Sequence, residues 1–207
     1  VKDCLEKEIK VSFLTTRKDK LDSLAGCEGF YWNPQKNIID TKVESILDIN
    51  SKDFVKKVDL IIVAVPPKPT LDVLNDLKDI WNTDVTITDT SSVKNHIKLN
   101  GASNIVLSHP IAGSDQSGIS AADEDLFKNK KNVLCDPFNS KKGHFEKVDN
   151  FWKNALQMRT SSMSVSEHDL IFAMTSHLPH LVSYALIDSI RLSNHDVDDN
   201  AGGGLKE

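Results

Sequence analysis

Residues Val58–Val65 read VDLIIVAV, an apolar run that does not alternate and that ends on Pro66 and Pro67. A strand with one face in water alternates apolar and polar side chains. An unbroken run of this length predicts a strand buried on both faces, which requires helices on either side of a sheet. The following residues comply: Thr70–Trp81 sets Leu71, Leu74, Leu77 and Ile80 on one helical stripe.

The same alternation of element types continues along the chain. Ile9–Leu14 (IKVSFL), Asp84–Asp89 (DVTITD), Asn104–Ser108 (NIVLS) and Val133–Cys135 read as strands, and Asn37–Ile39 as a brief one. Lys147–Leu156 reads as a helix, and Ser91 or Ser92 as the cap of a helix after Asp89. Val1–Glu8 has the pattern of the tail of an amphipathic helix, and Asp22–Ala25 that of a short helix closing at Gly26. Val43–Asp48 fits either type. The spacing predicts an α/β fold, a parallel sheet flanked by helices.

The chain changes character near Met163. Ser164 and Glu167 have capping-box spacing and open a long apolar helix running to about Leu192, with a kink expected at Pro179. Two parts follow: an α/β domain over 1–163 and the beginning of a helical domain over 164–207.

Composition narrows the function. A length of 207 residues suffices for a sizeable core, and a net charge of −5 offers no basic footprint for nucleic acid. The densest lysine run, Lys128–Lys131, reads as a solvated loop. No uninterrupted apolar run approaches the ~18 residues of a membrane span, so no membrane association is expected. Cys4, Cys27 and Cys135 lie far apart without metal-site or disulfide spacing. That fits a reducing, cytoplasmic setting and no bound metal.

Ligands of open parallel sheets bind beyond the carboxyl ends of the strands. Thr15–Lys18, Pro66–Pro67, Ser91–Ser92 and His109 all fall at such ends. His109 is either a satisfied structural histidine or a general base, since imidazole titrates near neutrality; Ser92 at the neighbouring strand end favours the base. Ser92 itself can cap a helix, touch substrate, or do both. In LSHPIAGSDQSG (Leu107–Gly118), Gly113 supplies a permissive backbone, and Ser114 donates to a ligand oxygen or to the turn. Asp115 and Gln116 read as solvated. His177 and His180 share a helical face, but no third metal ligand accompanies them, so carboxylate binding is the better functional guess. His168 reads as structural, and His96, His144 and His195 as surface residues. Thr15, Thr16 and Arg17 replace the acidic residue that would hold the ribose hydroxyls of NAD. Hydroxyls and cations there favour a 2′-phosphate, hence NADP, with NAD as the alternative.

Several motifs then occur in order: SSVK (Ser91–Lys94), HPIAGSDQSG with AADEDLF, SEHD (Ser166–Asp169), SHLPH (Ser176–His180) and AGGG (Ala201–Gly204). Together they resemble the prephenate/arogenate dehydrogenase family of tyrosine biosynthesis, over nearly the whole chain. The resemblance implies a Rossmann-like domain followed by the start of an all-α dimerisation domain, in a homodimer. It implies hydride transfer from a cyclohexadienol to a nicotinamide, with loss of the ring carboxylate. His109 would take the hydroxyl proton and Ser92 would bond the same hydroxyl or support His109. Ser114, His177 and His180 would line the substrate pocket, and Pro66 and Pro67 would contact the cofactor with Thr15, Thr16 and Arg17.

The chain also departs from the family. It contains no GxGxxG, and it stops at Glu207 before the arginine that holds a substrate carboxylate. The expectation is an internal fragment, weakly active or inactive alone, of an enzyme whose preference between prephenate and arogenate is open. Two other readings stand behind it. One is a different NADP-dependent dehydrogenase of the β-hydroxyacid type, disfavoured because no lysine lies between Lys153 and Lys206. The other is a truncated, non-enzymatic binding module.

Overall fold

The computed structural model describes residues 12–15, 28–33, 38–41, 49–50, 58–113, 123, 125–141 and 143–192, with backbone alone before residue 58. The segments read above as Val1–Glu8, Asp22–Ala25 and Val43–Asp48 lie outside them. The chain divides into two compact units, Val1–Val165 and Ser166–Glu207.

Two sheets form in the first unit. One has strands β1 (Ser12–Thr15), β2 (Glu28–Asn33), β3 (Ile38–Thr41) and β4 (Ile49–Asn50) in that order. Its first pair is parallel and the next two are antiparallel. The other has β5 (Leu60–Val63), β6 (Thr86–Asp89), β7 (Ile105–Ile111), β8 (Lys131–Cys135) and β9 (Arg159–Ser162), also in sequence order. Pairs β5–β6, β6–β7 and β8–β9 are parallel, whereas β7–β8 is antiparallel. Strands β2, β4 and β9 escaped the sequence reading. Arg159–Ser162 is short and polar, and only its pairing with β8 makes it a strand.

Helix α1 (Pro67–Asp76) and a 3₁₀ turn (Lys78–Ile80) connect β5 to β6. Pro67 at the first helical position suits its fixed φ. Helix α2 (His144–Asn150) and a π-helical turn (Phe151–Ala155) connect β8 to β9. Gly143 opens α2 at φ +102°, and its N–H donates to Glu146 Oε2 at 2.9 Å. Trp152, Val148, Ala155, Leu156 and Met158 pack on Val106 and Leu134 of the sheet. Trp152 stands edge-on to Phe127 and Phe151, with ring centroids 6.1 and 5.4 Å away.

Three expectations need correction here. Strand β5 is shorter than Val58–Val65 and not buried on both faces, since Ile62 is exposed. No helix follows Ser91 or Ser92. Ser91 turns its hydroxyl onto Asp89 and Lys94 is drawn into the interior, so the segment crosses as an irregular loop. β7 does not stop at Ser108 but continues through His109 and Pro110 to Ile111, because β8 pairs with it that far.

From the boundary between the units, α3 (Val165–Phe172), a π-helical turn (Ala173–His177) and α4 (Leu178–Leu192) follow without a break. The π turn ends just before Pro179, whose missing N–H leaves the carbonyl four residues back without its usual donor. Leu170, Met174, Leu178, Leu181, Val182, Tyr184 and Leu186 are exposed. Helix Val165–Leu192 contains an 18-residue window of mean hydropathy 1.4, long and apolar enough by length and composition to cross a membrane. Counting only uninterrupted runs missed this.

Candidate active site

β6 and β7 pair at Ile87↔Ile105 and Thr88↔Val106, and then separate. Past that point β7 keeps only its antiparallel partner, with His109 opposite Val133. These carboxyl ends are the position where an α/β sheet binds ligands. The layer of residues beneath them, the floor of this end of the sheet, is polar and buried. Thr88, Asp89, Ser91, Lys94 and Ser108 are each 3% exposed or less.

Asp89 is the centre of that floor. Its Oδ2 receives Lys94 Nζ at 2.6 Å, the Ser91 N–H at 3.0 Å and the Ser91 hydroxyl. Its Oδ1 accepts the Ser108 N–H at 3.1 Å. Lys94 Nζ also donates to the Ser108 carbonyl at 2.6 Å and to Ser91 Oγ at 3.3 Å. The Ser108 hydroxyl donates to the Asp89 carbonyl at 2.5 Å and accepts from Thr88 Oγ1 at 3.0 Å. Neither charge is left alone, as burial demands.

Around this floor stand the residues singled out from sequence. Ser92 follows Asp89 by three residues and is half-buried, and His109 is half-buried at the parting of the strands. Side chains alternate along β7, so His109 shares a face with Ile105 and Leu107, opposite the face that Val106 packs under α2. Pro66 and Pro67 lie at the carboxyl end of β5, the next strand, and are exposed. Thr70 Oγ1 turns back to the Pro66 carbonyl at 3.0 Å, which fixes this corner. His96 Nε2 donates to the Pro67 carbonyl at 3.0 Å and ties the corner to the loop after Ser92. The structure thus brings Ser92, His109, Pro66 and Pro67 to the carboxyl ends of three adjacent strands.

Other predicted residues are not brought there. Thr15 ends β1 in the other sheet, at the carboxyl end of its strand. Thr16, Arg17, Ser114, Asp115, Gln116 and His195 lie outside the described residues. His177 and His180 belong to the second unit, where both are exposed, and His180 stands edge-on to Tyr184 at 6.2 Å. His168 is buried, bonded to Asp169 Oδ1 at 2.7 Å and tilted on Phe172.

His144 is not a surface residue. It is buried at the start of α2, and its Nδ1 pairs with Thr86 Oγ1 at 2.8 Å. Burial, then the charges of Lys147 and Lys141, lower its pKa against the opposing pull of Asp84. It sits at the amino end of β6, away from the carboxyl ends that carry Ser92 and His109.

Sequence reasoning assigned no role to Asp89 or Lys94. A carboxylate closing an otherwise apolar strand, followed five residues later by a lysine, was the available signal.

Parallel strands, two of the pairs joined by helices, with polar residues gathered at their carboxyl ends, define an α/β dinucleotide-binding domain of the Rossmann-like class, here followed by a helical unit. Residues 33–157 match the family model described as prephenate dehydrogenase, nucleotide-binding domain, and residues 164–206 match prephenate dehydrogenase, dimerization domain. The chain belongs to the prephenate dehydrogenase family. It is 31% identical over 151 residues to a cyclohexadienyl dehydrogenase of Zymomonas mobilis, covering 67% of this chain and 49% of that protein. It is 31% identical over 180 residues to a prephenate dehydrogenase of Bacillus subtilis, covering 82% and 47%. The chain therefore spans about half the length of the curated relatives it matches. Its fold is similar to that of the A. aeolicus prephenate dehydrogenase solved in complex with hydroxyphenyl propionate and NAD+ (TM-score 0.78, 23% identity, 99% of this chain and 70% of that one).

Proposed function

We propose that the protein takes part in the oxidative decarboxylation of prephenate to 4-hydroxyphenylpyruvate, or of arogenate to tyrosine, in tyrosine biosynthesis. The observation that carries this reading is the end of the β6–β7 ladder at Thr88↔Val106, with the half-buried His109 three residues further along β7 and the half-buried Ser92 in the loop just past β6. Family membership supports the reaction class, and the name of the B. subtilis relative supports prephenate as one of the two candidate substrates.

A nicotinamide fits the corner at the end of β5. Ala64, Pro66 and Pro67 at the end of β5 are exposed and uncharged, an apolar ledge of the kind a planar ring needs. A bound nicotinamide dinucleotide supplies the hydride acceptor. Pro66, Pro67, Thr15, Thr16 and Arg17 are the residues that would hold it, and the Thr-Thr-Arg sequence favours NADP over NAD. No GxGxxG loop for the pyrophosphate occurs in this sequence.

The chain's own residues have separate tasks. His109 accepts the substrate's hydroxyl proton at its ring nitrogen as the hydroxyl carbon becomes a carbonyl. Ser92 bonds the same hydroxyl or holds the imidazole. Ser114, His177 and His180 orient the substrate's carboxylates. The exposed apolar face of α3 and α4 pairs with a second copy, giving a homodimer, and the setting is cytoplasmic.

The test is His109→Asn in a version of the protein extended at both ends. Turnover should fall by about 10²–10⁴-fold, the usual contribution of a positioned general base, with KM for the organic substrate little changed. Parent-like turnover in that variant would remove His109 from the mechanism.

A further inference from the structure

Asp89 and Lys94 are fully buried, yet an ion pair in an interior returns little or no stability against apolar residues of the same volume. Their placement calls for a different explanation. We propose that Asp89, with Lys94 as its counter-ion, is a positioning residue for His109. This rests on the reading of His109 as the proton acceptor.

The ladder between β6 and β7 ends at Thr88↔Val106. Beyond it, the Ser108 N–H bonds the Asp89 side chain and not the β6 backbone. The Asp89 carboxylate takes the Ser108 N–H at 3.1 Å, and Lys94 takes the Ser108 carbonyl at 2.6 Å. Both backbone groups of the residue preceding His109 are thus held by charged side chains instead of by a strand. Successive residues of a strand turn their backbone groups to alternate sides, so those of His109 face β8, where it pairs with Val133.

His109 is therefore fixed from two directions, through β8 on one side and through Ser108 on the other. The Ser108 hydroxyl adds a third tie, to the Asp89 carbonyl at 2.5 Å. The device lets the β6–β7 ladder end without freeing the segment that carries the imidazole. Charge-assisted hydrogen bonds suit this task because they are short and directional. The same carboxylate bonds the N–H of Ser91, next to Ser92, so one group sets both candidate strand ends.

The experiment compares variants of the protein extended at both ends, with whichever of prephenate and arogenate it oxidises. Asp89→Leu combined with Lys94→Met removes both charges together and leaves no lone buried charge. The buried Ser108 N–H and carbonyl lose their partners, so the melting temperature should fall by several degrees. KM should stay near the parent's while kcat of the folded protein falls by about 10²-fold, the loss expected for a displacement on the order of 1 Å at the reacting group. A folded double variant with kcat within about two-fold of the parent would overturn the proposal.

If the double variant does not fold, Asp89→Glu serves in its place. It keeps the ion pair and moves the carboxylate by one methylene. A fall in kcat of about ten-fold at unchanged KM supports positioning, and parent-like kcat overturns it. His109→Asn separates the two ideas. If that variant is active, the reading of His109 fails and the proposal with it. If it is dead while the double variant is parent-like, only the positioning role fails.

Discussion

Asn104 offers a quantitative test of how this domain holds β7 beside β6. Its side chain is fully buried immediately before β7. Its Nδ2 donates to the Ile80 carbonyl at 2.9 Å and to the Val85 carbonyl at 2.6 Å, and its Oδ1 accepts the Asn82 N–H at 3.2 Å. One amide thus ties the end of the 3₁₀ turn, the start of β6 and the start of β7. Leucine has nearly the same volume and can make none of these bonds. At about 0.5–1.5 kcal/mol per bond, Asn104→Leu should cost roughly 1.5–4.5 kcal/mol, toward the upper end because the carbonyls of Ile80 and Val85 are left buried without that donor. With about 2–4 °C per kcal/mol for a chain of this size, the melting temperature should fall by roughly 3–18 °C. Urea unfolding followed by tryptophan fluorescence measures the change as a shift in midpoint at constant slope. Ser103→Ala, at an exposed hydrogen bond next door, should change stability by less than about 0.5 kcal/mol. A loss below about 0.5 kcal/mol for Asn104→Leu would refute this account of how β6 and β7 are joined.

Other outcomes follow from the same structure. His144 has a lowered pKa when folded and an ordinary one of about 6.5 when unfolded, so the unfolded chain takes up the proton first as pH falls. Its contribution to stability is complete above about pH 6.5 and declines below that toward the folded pKa. Urea midpoints against pH should show this decline, and His144→Asn should remove it. Trp152→Ala should cost about 3–5 kcal/mol by opening a cavity under the sheet. Trp152→Phe should cost less than about 1.5 kcal/mol, because the buried Nε1 it removes has no hydrogen-bond partner; calorimetry distinguishes the two. His96→Ala frees the Pro66–Pro67 corner from the loop after Ser92. Loss of that one bond, worth about 1 kcal/mol, should raise the dinucleotide KM about five-fold in steady-state assays.

Where sequence and structure agree, a single element decided its own conformation. The apolar stripe of α1 and the NIVLS run need no distant partner to be recognised. Where they differ, a partner decided. β9 is polar and exists because β8 offers it a ladder. His109 falls inside a strand because β8 pairs five residues deep along β7. Ser91 caps no helix because Asp89, two residues earlier, captures its hydroxyl.

The candidate site was legible to the same extent. His109, Ser92 and the proline pair could be named because strand ends are where such folds bind ligands. Asp89 and Lys94 could not, because nothing in TITDTSSVK says that its carboxylate and ammonium turn inward to meet Ser108. His144 misled for a related reason. The polar segment around it, KKGHFEK, reads as surface, while Thr86 and the helix start enclose the imidazole.

The most direct measurement is substrate-dependent formation of NADPH or NADH at saturating dinucleotide, with prephenate and with arogenate in turn. It is made on the 207-residue chain and on the version extended at both ends. The account predicts turnover by the extended protein with at least one of the two substrates, faster with NADP than with NAD, and little or none by the 207-residue chain. No turnover by a folded extended protein with either substrate and either dinucleotide would contradict it.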